Sequence, residues 1–218
     1  MIINITIDGP SGSGKSTIAK AISKDLGITY LDTGAMYRGV AYYVISKGID
    51  PSDEKGVLGI LDDIKMDIIY KDGEQKIIIC NQDVTPYIRE HNISMAASTV
   101  SKKPAVRLKL VELQRKIASQ TDCVIDGRDI GSYVLPNAKY KFYMTASAEE
   151  RAKRRHKELL EKGKDIGYEE VLEDIKKRDI QDSTRAFAPL VVPEGAVVVD
   201  TTNMTIDQVL KYIKERIC

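Results

Sequence analysis

Apolar and polar positions follow two rhythms along this chain, and the switches between them mark out its elements. Short apolar runs rich in β-branched residues occur at Ile2–Ile7, Thr29–Leu31, Cys123–Ile125, Lys141–Met144 and Val197–Val199. Fully apolar strands separated by helical stretches predict a parallel sheet covered on both faces, an α/β fold with five strands. Helical patterns fill Lys15–Leu26 and Gly34–Lys47, each closed by a glycine, Gly27 or Gly48. Pro104, at its favoured first position, opens a helix that runs to Ser119. Thr205–Arg216 closes the chain, with Thr205 as N-cap and Lys214 and Arg216 in the last turn.

Two stretches break this rhythm. Met66–Cys80 alternates around Asp72-Gly73, a strong hairpin signal, and is flanked by helical patterns near Asp53–Ile64 and Asn92–Val100. Residues 36–100 therefore form an inserted α+β subdomain. Ala148–Ser183 is charged throughout, with two helical patterns separated by residues 162–167. Its low apolar content predicts a flap over a site and not core.

Composition narrows the function. At 218 residues and 43% apolar content the chain is one core domain with room for insertions. A net charge of +1 gives no general attraction for nucleic acid or membrane, so an anion site must be built locally. The three cysteines form no CxxC pair, which fits a reducing cytoplasm, and the two histidines stand apart, against a histidine metal site. The chain runs straight into its first strand, leaving no room for a signal peptide, and no apolar run reaches membrane-spanning length.

The strongest chemical signal follows the first strand. Gly9-Pro10-Ser11-Gly12-Ser13-Gly14-Lys15-Ser16-Thr17 is G-x-x-x-x-G-K-[ST] between a strand and a helix, the setting of a phosphate-binding loop. Glycines let successive N–H groups turn inward on a polyphosphate, and the following helix aims its positive end at the same anion. Lys15 reaches the β- and γ-phosphates, and the Ser16 hydroxyl sits on Mg²⁺. Asp32-Thr33-Gly34-Ala35-Met36-Tyr37-Arg38 and Asp126-Gly127-Arg128-Asp129 end the second and third strands, at the edge where open α/β folds bind ligands. Arg38 can point at an anion there, or Asp32 or Thr33 simply caps the helix and Arg38 faces solvent. Asp126 can act on Mg²⁺ through a water, or belong to an ordinary Asp-Gly turn. Arg151, Arg154 and Arg155 share one helical face, and Arg178, Asp182 and Arg185 another. Next to a phosphate loop, both sets read as a guanidinium flap that closes on phosphates; the bland alternative is a solvated salt-bridging face with Glu150, Glu158 or Asp174. Arg154 and the turn Asp200-Thr201-Thr202 are candidates for the nucleotide's adenine end by position.

In this order, G-P-S-G-S-G-K-S-T, D-T-G-A-M-Y-R, A-A-S-T-V (Ala96–Val100), P-A-V-R (Pro104–Arg107), D-G-R-D-I-G (Asp126–Gly131) and R-D-I-Q-D-S-T-R-A-F-A-P-L (Arg178–Leu190) resemble bacterial-type cytidylate kinases over the whole chain. The resemblance implies a P-loop core (1–35, 101–147 and 186–218), an insert at 36–100 that binds the nucleoside monophosphate, and a small helical lid at 148–185. It implies ATP as phosphoryl donor, Mg²⁺, and CMP or dCMP as acceptor. By the same resemblance Ser98, Arg107 and Asp129 hold cytosine, Arg178 and Asp182 the sugar hydroxyls, and Arg38, Arg128 and Arg185 the acceptor phosphate, with Thr33 beside them. Lys15, Arg128 and Arg185 are then the catalytic groups. The chain is expected to be a cytoplasmic monomer that binds neither nucleic acid nor membrane. Other readings stay open: a kinase of the same architecture for UMP, AMP or a small alcohol, a nucleotide switch or assembly ATPase, and a nucleic-acid binder using the Lys/Arg runs. The last predicts steep salt dependence; a GTPase-type switch should carry N-K-x-D, which this chain lacks.

Overall fold

The computed structural model describes every residue except Met1, Asp72, Lys162 and Cys218. The chain opens with β1 (Asn4–Asp8), α1 (Lys15–Leu26), β2 (Thr29–Asp32) and α2 (Thr33–Ser46). It continues through α3 (Glu54–Gly59), a 3₁₀ turn at Leu61–Asp63, β3 (Met66–Lys71), β4 (Glu74–Ile79), β5 (Gln82–Asp83), α4 (His91–Val100) and α5 (Pro104–Ala118). It ends with β6 (Cys123–Gly127), a π-type turn at Ile130–Val134, β7 (Tyr140–Thr145), α6 (Ala148–Glu161), α7 (Tyr168–Thr184), β8 (Val197–Asp200) and α8 (Ile206–Lys214). Among the described residues no helix is long and apolar enough to cross a membrane.

The five apolar runs make one sheet in the order β2-β6-β1-β7-β8. β1 lies at its centre, parallel to both neighbours, with Ile5 opposite Val124 and Ile7 opposite Phe142. β1 and β6 are buried on both faces, which explains their continuous apolar runs, whereas burial alternates along β7, and β8 leaves Val198 half exposed. Ile5, Ile7, Val124, Phe142, Met144 and Val199 pack with Ile18, Ala19 and Ile22 of α1 and Val209 and Ile213 of α8, all 3% exposed or less. This core aligns the carboxyl ends of β1, β6 and β7 along one edge. Thr205 caps α8 through a reciprocal pair with Gln208, as its sequence position predicts.

The chain divides into two compact units, and the division falls inside β2. The first comprises Met1–Tyr30 and Gln120–Cys218; the second is Leu31–Ser119, which contains the expected insert and also α5. Within the second, β3, β4 and β5 form a small antiparallel sheet. Of the expected Asp72-Gly73 turn, Asp72 lies outside the described residues. β5 was not foreseen: two residues are too few to show alternation, and its turn is made by Cys80 and Asn81 with φ of 48° and 66°. The helix expected over Asp53–Ile64 is α3 followed by the separate 3₁₀ turn, with Asp53 accepting from the Gly56 N–H at 3.0 Å. Within the first unit, α6 and α7 share a small cluster of their own, Ala152, Leu159, Val171 and Ile175, so the charged segment contains more core than its composition suggests.

Gly39 lets α2 lie close on this sheet. A Cβ there would stand 2.9 Å from Ile77, 3.1 Å from Met66 and 3.2 Å from Ile79, all side-chain atoms. Gly39→Ala should therefore lower stability in chemical unfolding by about 1–3 kcal/mol despite the better helix former, as overpacking does. Gly59→Ala, which meets nothing within 4 Å, should stay within about 0.5 kcal/mol of wild type.

Candidate functional site

The phosphate loop leaves β1 through backbone that only glycine allows. At Gly9, φ is +151° and a Cβ would stand 2.0 Å from the Met144 carbonyl oxygen. At Gly12, φ is +78° and a Cβ would press on Arg151 at 3.1 Å, so the first turn of α6 lies against the loop. No side chain caps the start of α1 at Gly14, and the Ser13 hydroxyl is fully buried with no hydrogen-bond partner. Both features leave donors for an anion. Lys15 is buried and donates to the Pro10 carbonyl at 3.0 Å. Burial, reinforced by the nearby Arg128 guanidinium, holds its ammonium well below the usual lysine range, with Asp126 opposing. Pro10 is buried and Ser11 half-buried, while Ser16 and Thr17 are open to solvent.

Asp126 ends β6 beside this loop. Its Oδ2 accepts from the Ser16 hydroxyl at 2.6 Å and its Oδ1 from the Tyr30 hydroxyl at 2.9 Å. A serine oxygen and a carboxylate side by side form the hard, all-oxygen donor set that suits Mg²⁺. The Tyr30 bond fixes the carboxylate's orientation, as outer partners of metal ligands do. Nothing in the sequence pattern marked Tyr30, since it joins Asp126 only across the sheet.

Beyond Gly127 the charges multiply. Arg128 Nε donates to Asp182 at 2.8 Å, Arg185 Nη1 stands 3.8 Å from the same carboxylate, and Arg185 Nη2 stands 3.5 Å from Asp129. Burial would push the Asp182 carboxyl up, yet Arg128 and Arg178 hold it below the usual carboxylate range. Arg128, Asp129, Arg178, Asp182 and Arg185 thus come together in the first unit. Arg185 does so differently from the expected helical face: α7 stops at Thr184, and Arg185 is extended, with its Nε bonded to the Ala188 carbonyl at 2.7 Å. The reversal at Ala188, where φ is 47°, returns the chain onto it.

The three flap arginines part company. Arg151 is buried, donates to both oxygens of Asp179 at 2.9 and 2.6 Å, and reaches the Ser11 carbonyl at 3.2 Å. Arg154 donates to the carbonyl and hydroxyl of Thr201, at 2.8 and 3.1 Å. Arg155 pairs with Glu158 at 2.8 Å, and Arg154 Nε also stands 3.3 Å from Glu150, the surface pairs that the bland reading anticipated. Their i, i+3, i+4 spacing put them on one face, but it could not show that Asp179 and Thr201 would draw two of them inward.

In the second unit Asp32 is the N-cap of α2, accepting from the Ala35 N–H at 2.8 Å, and Thr33 is buried as the first helical residue. Arg38 folds back onto Asp32 at 3.0 Å, and its Nε is buried with no hydrogen-bond partner. Arg107, 1% exposed, donates to the Ser101 carbonyl at 3.2 Å, and its guanidinium carbon lies 5.3 Å from the centre of the Tyr37 ring. The Ser101 hydroxyl in turn bonds the Ser98 carbonyl at 2.8 Å, so Ser101 ties Ser98 to Arg107. Sequence reasoning missed both Ser101 and Tyr37, although Tyr37 stood inside a motif it used.

A family model described as cytidylate kinase matches residues 5–218. The chain belongs to the cytidylate kinase family. It is 49% identical over 213 residues to a cytidylate kinase of Caldicellulosiruptor bescii, covering 98% of this chain and 94% of that one. Against a cytidylate kinase of Caldanaerobacter subterraneus subsp. tengcongensis the identity is 49% over 217 residues, covering 100% and 95%. Among solved structures, a gluconokinase from Sinorhizobium meliloti 1021 matches with a TM-score of 0.50 at 15% identity, over 97% of this chain and 89% of its own. At that identity the likeness is one of fold, a P-loop kinase core.

For this cytidylate kinase family member, the ion pairs of Asp182 set a pH dependence. A carboxyl with a lowered pKa contributes stability that is complete above its unfolded value and lost as pH falls through the folded one. Asp182→Asn should therefore destabilise the protein most at neutral pH, and the difference from wild type should shrink below about pH 4. Thermal unfolding of both proteins across pH 3–8 reads this directly.

Proposed function

We propose that this chain transfers the γ-phosphoryl group of ATP to CMP or dCMP, giving CDP or dCDP and ADP. The reading is supported above all by the gathering of Lys15, Arg128, Arg178 and Arg185 beside the phosphate loop, where burial and Arg128 depress the Lys15 ammonium, an arrangement that favours a polyanion. Gly9–Thr17 cradle the donor phosphates, with Arg154 and Thr201 toward the adenine end. Ser16, with Asp126 through a water, would hold Mg²⁺, which would supply charge stabilisation to the transferring phosphates. Arg38, Arg128 and Arg185 clamp the acceptor phosphate with planar forks of donors. Arg178 and Asp182 take the sugar hydroxyls, with Thr33 nearby in sequence to Arg38.

Cytosine offers an N4 amine and acceptors at N3 and O2. Asp129 suits the amine, and Arg107 with Ser98 suits the acceptors. Uracil would present O4 to Asp129, acceptor against acceptor, and that mismatch sets the preference. The acceptor phosphate is already largely ionised at neutral pH, with a second pKa near about 6, so no general base is required. Catalysis comes from in-line positioning and charge stabilisation by Lys15 and the arginines. In domain terms, 1–35, 101–147 and 186–218 act as the core, 36–100 as the acceptor insert and 148–185 as a lid that closes to exclude water. The protein works as a cytoplasmic monomer.

A coupled ADP-release assay with ATP, Mg²⁺ and each of CMP, dCMP, UMP, AMP and GMP tests the assignment. CMP and dCMP should be strongly preferred; equal use of UMP or AMP would remove the base-reading roles, and acceptor-independent ADP release would point to an ATPase. Lys15→Ala should lower kcat by about 10²-fold or more with the protein still folded. Asp129→Asn should narrow the preference for CMP over UMP by about tenfold or more, because an amide can donate to O4.

A further inference from the structure

Asp8 is the last residue of β1 and the residue before the glycine that opens the phosphate loop, and none of its surface is exposed. Its Oδ1 accepts the N–H of Ile130 and its Oδ2 the N–H of Gly131, each at 2.7 Å. Ile130 and Gly131 begin the turn Ile130–Val134, for which Asp129 is the N-cap and supplies no capping side chain. The first free amides of a helical turn need an acceptor, and a carboxylate is the most favourable one. Here it comes from more than a hundred residues away: the sequence separations are 122 and 123.

The main chain of Asp8 holds the other side of the same segment. In the β1–β6 ladder Asp8 is paired with Gly127, the last residue of β6. Arg128 and Asp129 are therefore the two residues between a peptide that Asp8 holds by its backbone and two amides that it holds by its side chain. The fit is close on the far side too. A Cβ at Gly131 would stand 2.8 Å from the Thr6 hydroxyl, 3.0 Å from Pro193 and 3.2 Å from Asp8 Oδ2. The segment has no slack through which it could drift from β1.

We infer that Asp8 is a positioning residue for acceptor recognition, fixing Arg128 and Asp129 to the strand that carries the phosphate loop. This rests on the proposed roles of Arg128 and Asp129 toward CMP. The donor loop and the acceptor-reading pair then share one rigid reference, as in-line transfer requires, since small displacements of a positioned group are costly. Burial pushes the Asp8 carboxyl up to about 7, opposed by the two N–H bonds, so the two amides are also what keeps a carboxylate tolerable there.

Asp8→Asn keeps the shape but turns an amide N–H toward one of the two backbone donors. It should raise the KM for CMP tenfold or more and weaken the preference for CMP over UMP, while the KM for ATP stays within threefold. A defect equal for both substrates, or a fall in Tm with unchanged kinetics, would make Asp8 a structural residue only and overturn the inference. Gly131→Ala is the second variant, displacing the same peptide with the carboxylate intact. It should show the same CMP-selective defect, and a folded Gly131→Ala with wild-type KM for CMP would also overturn it. Asp129→Asn separates the two levels. If it leaves CMP use unchanged, the reading of Asp129 fails; if it impairs CMP use while Asp8→Asn does not, only the role of Asp8 fails.

Discussion

Positive charge gathered out of water at the ends of β1 and β6 is the condition to which the rest of this molecule answers. Lys15, Arg128, Arg178 and Arg185 converge there, and a buried guanidinium without an anionic partner costs several kcal/mol, on the order of 3–5 when a pair is broken. Asp182 answers part of that demand by bonding Arg128 and lying near Arg185. Asp126 answers another part from β6. Asp8 and Asp129 lie in the same cluster, and burial, reinforced by Arg128, still holds the Lys15 ammonium well below the usual lysine range. Under the proposed function, a polyphosphate would bring acceptors to the uncapped start of α1 and to the buried Ser13 hydroxyl.

The sheet supplies the geometry that makes such crowding tolerable. β1 sits between β6 and β7, so three carboxyl ends meet on one edge, held by a core of large aliphatic side chains with almost no exposure. Close packing of that kind transmits position without slack. Asp8, Asp126, Arg128 and Asp129 stand at or just beyond these ends, and Arg151 and Asp182 stand on helices that bond back to them. The same core explains the backbone choices at Gly9 and Gly12, where the loop passes within contact of the Met144 carbonyl and of Arg151.

Much of this was legible in the chain. The five apolar strands, the loop after the first of them and the capped helices α1, α5 and α8 follow from short-range rules of periodicity, capping and phosphate-loop spacing, and all lie within a residue or two of where they were expected. What was not legible depends on pairing across long sequence distances. Tyr30 meets Asp126 and Asp8 meets Ile130 only after the sheet has assembled, and Arg151 meets Asp179 only once α6 and α7 pack together. Arg185 illustrates a second kind of difficulty: helical spacing from Arg178 extends to it on paper, but the helix has ended one residue earlier, and the Ala188 reversal sets its position instead. β5 is short enough that no periodicity exists to be read.

The two ion pairs of α7 carry the argument one step further. Asp179 and Asp182 are three positions apart on this helix, yet they face different partners. Asp179 holds Arg151, which touches the Ser11 carbonyl of the phosphate loop; Asp182 holds Arg128, one residue before Asp129. A single helix is thus tied, through Arg151, to the loop after β1 and, directly, to the Arg128-Asp129 segment. Under the proposed function, a substrate phosphate and Asp182 would compete for the Arg128 guanidinium. A ligand shifts a conformational equilibrium only as far as it contacts the two states differently. Such competition would be a difference of that kind, located at one end of α7.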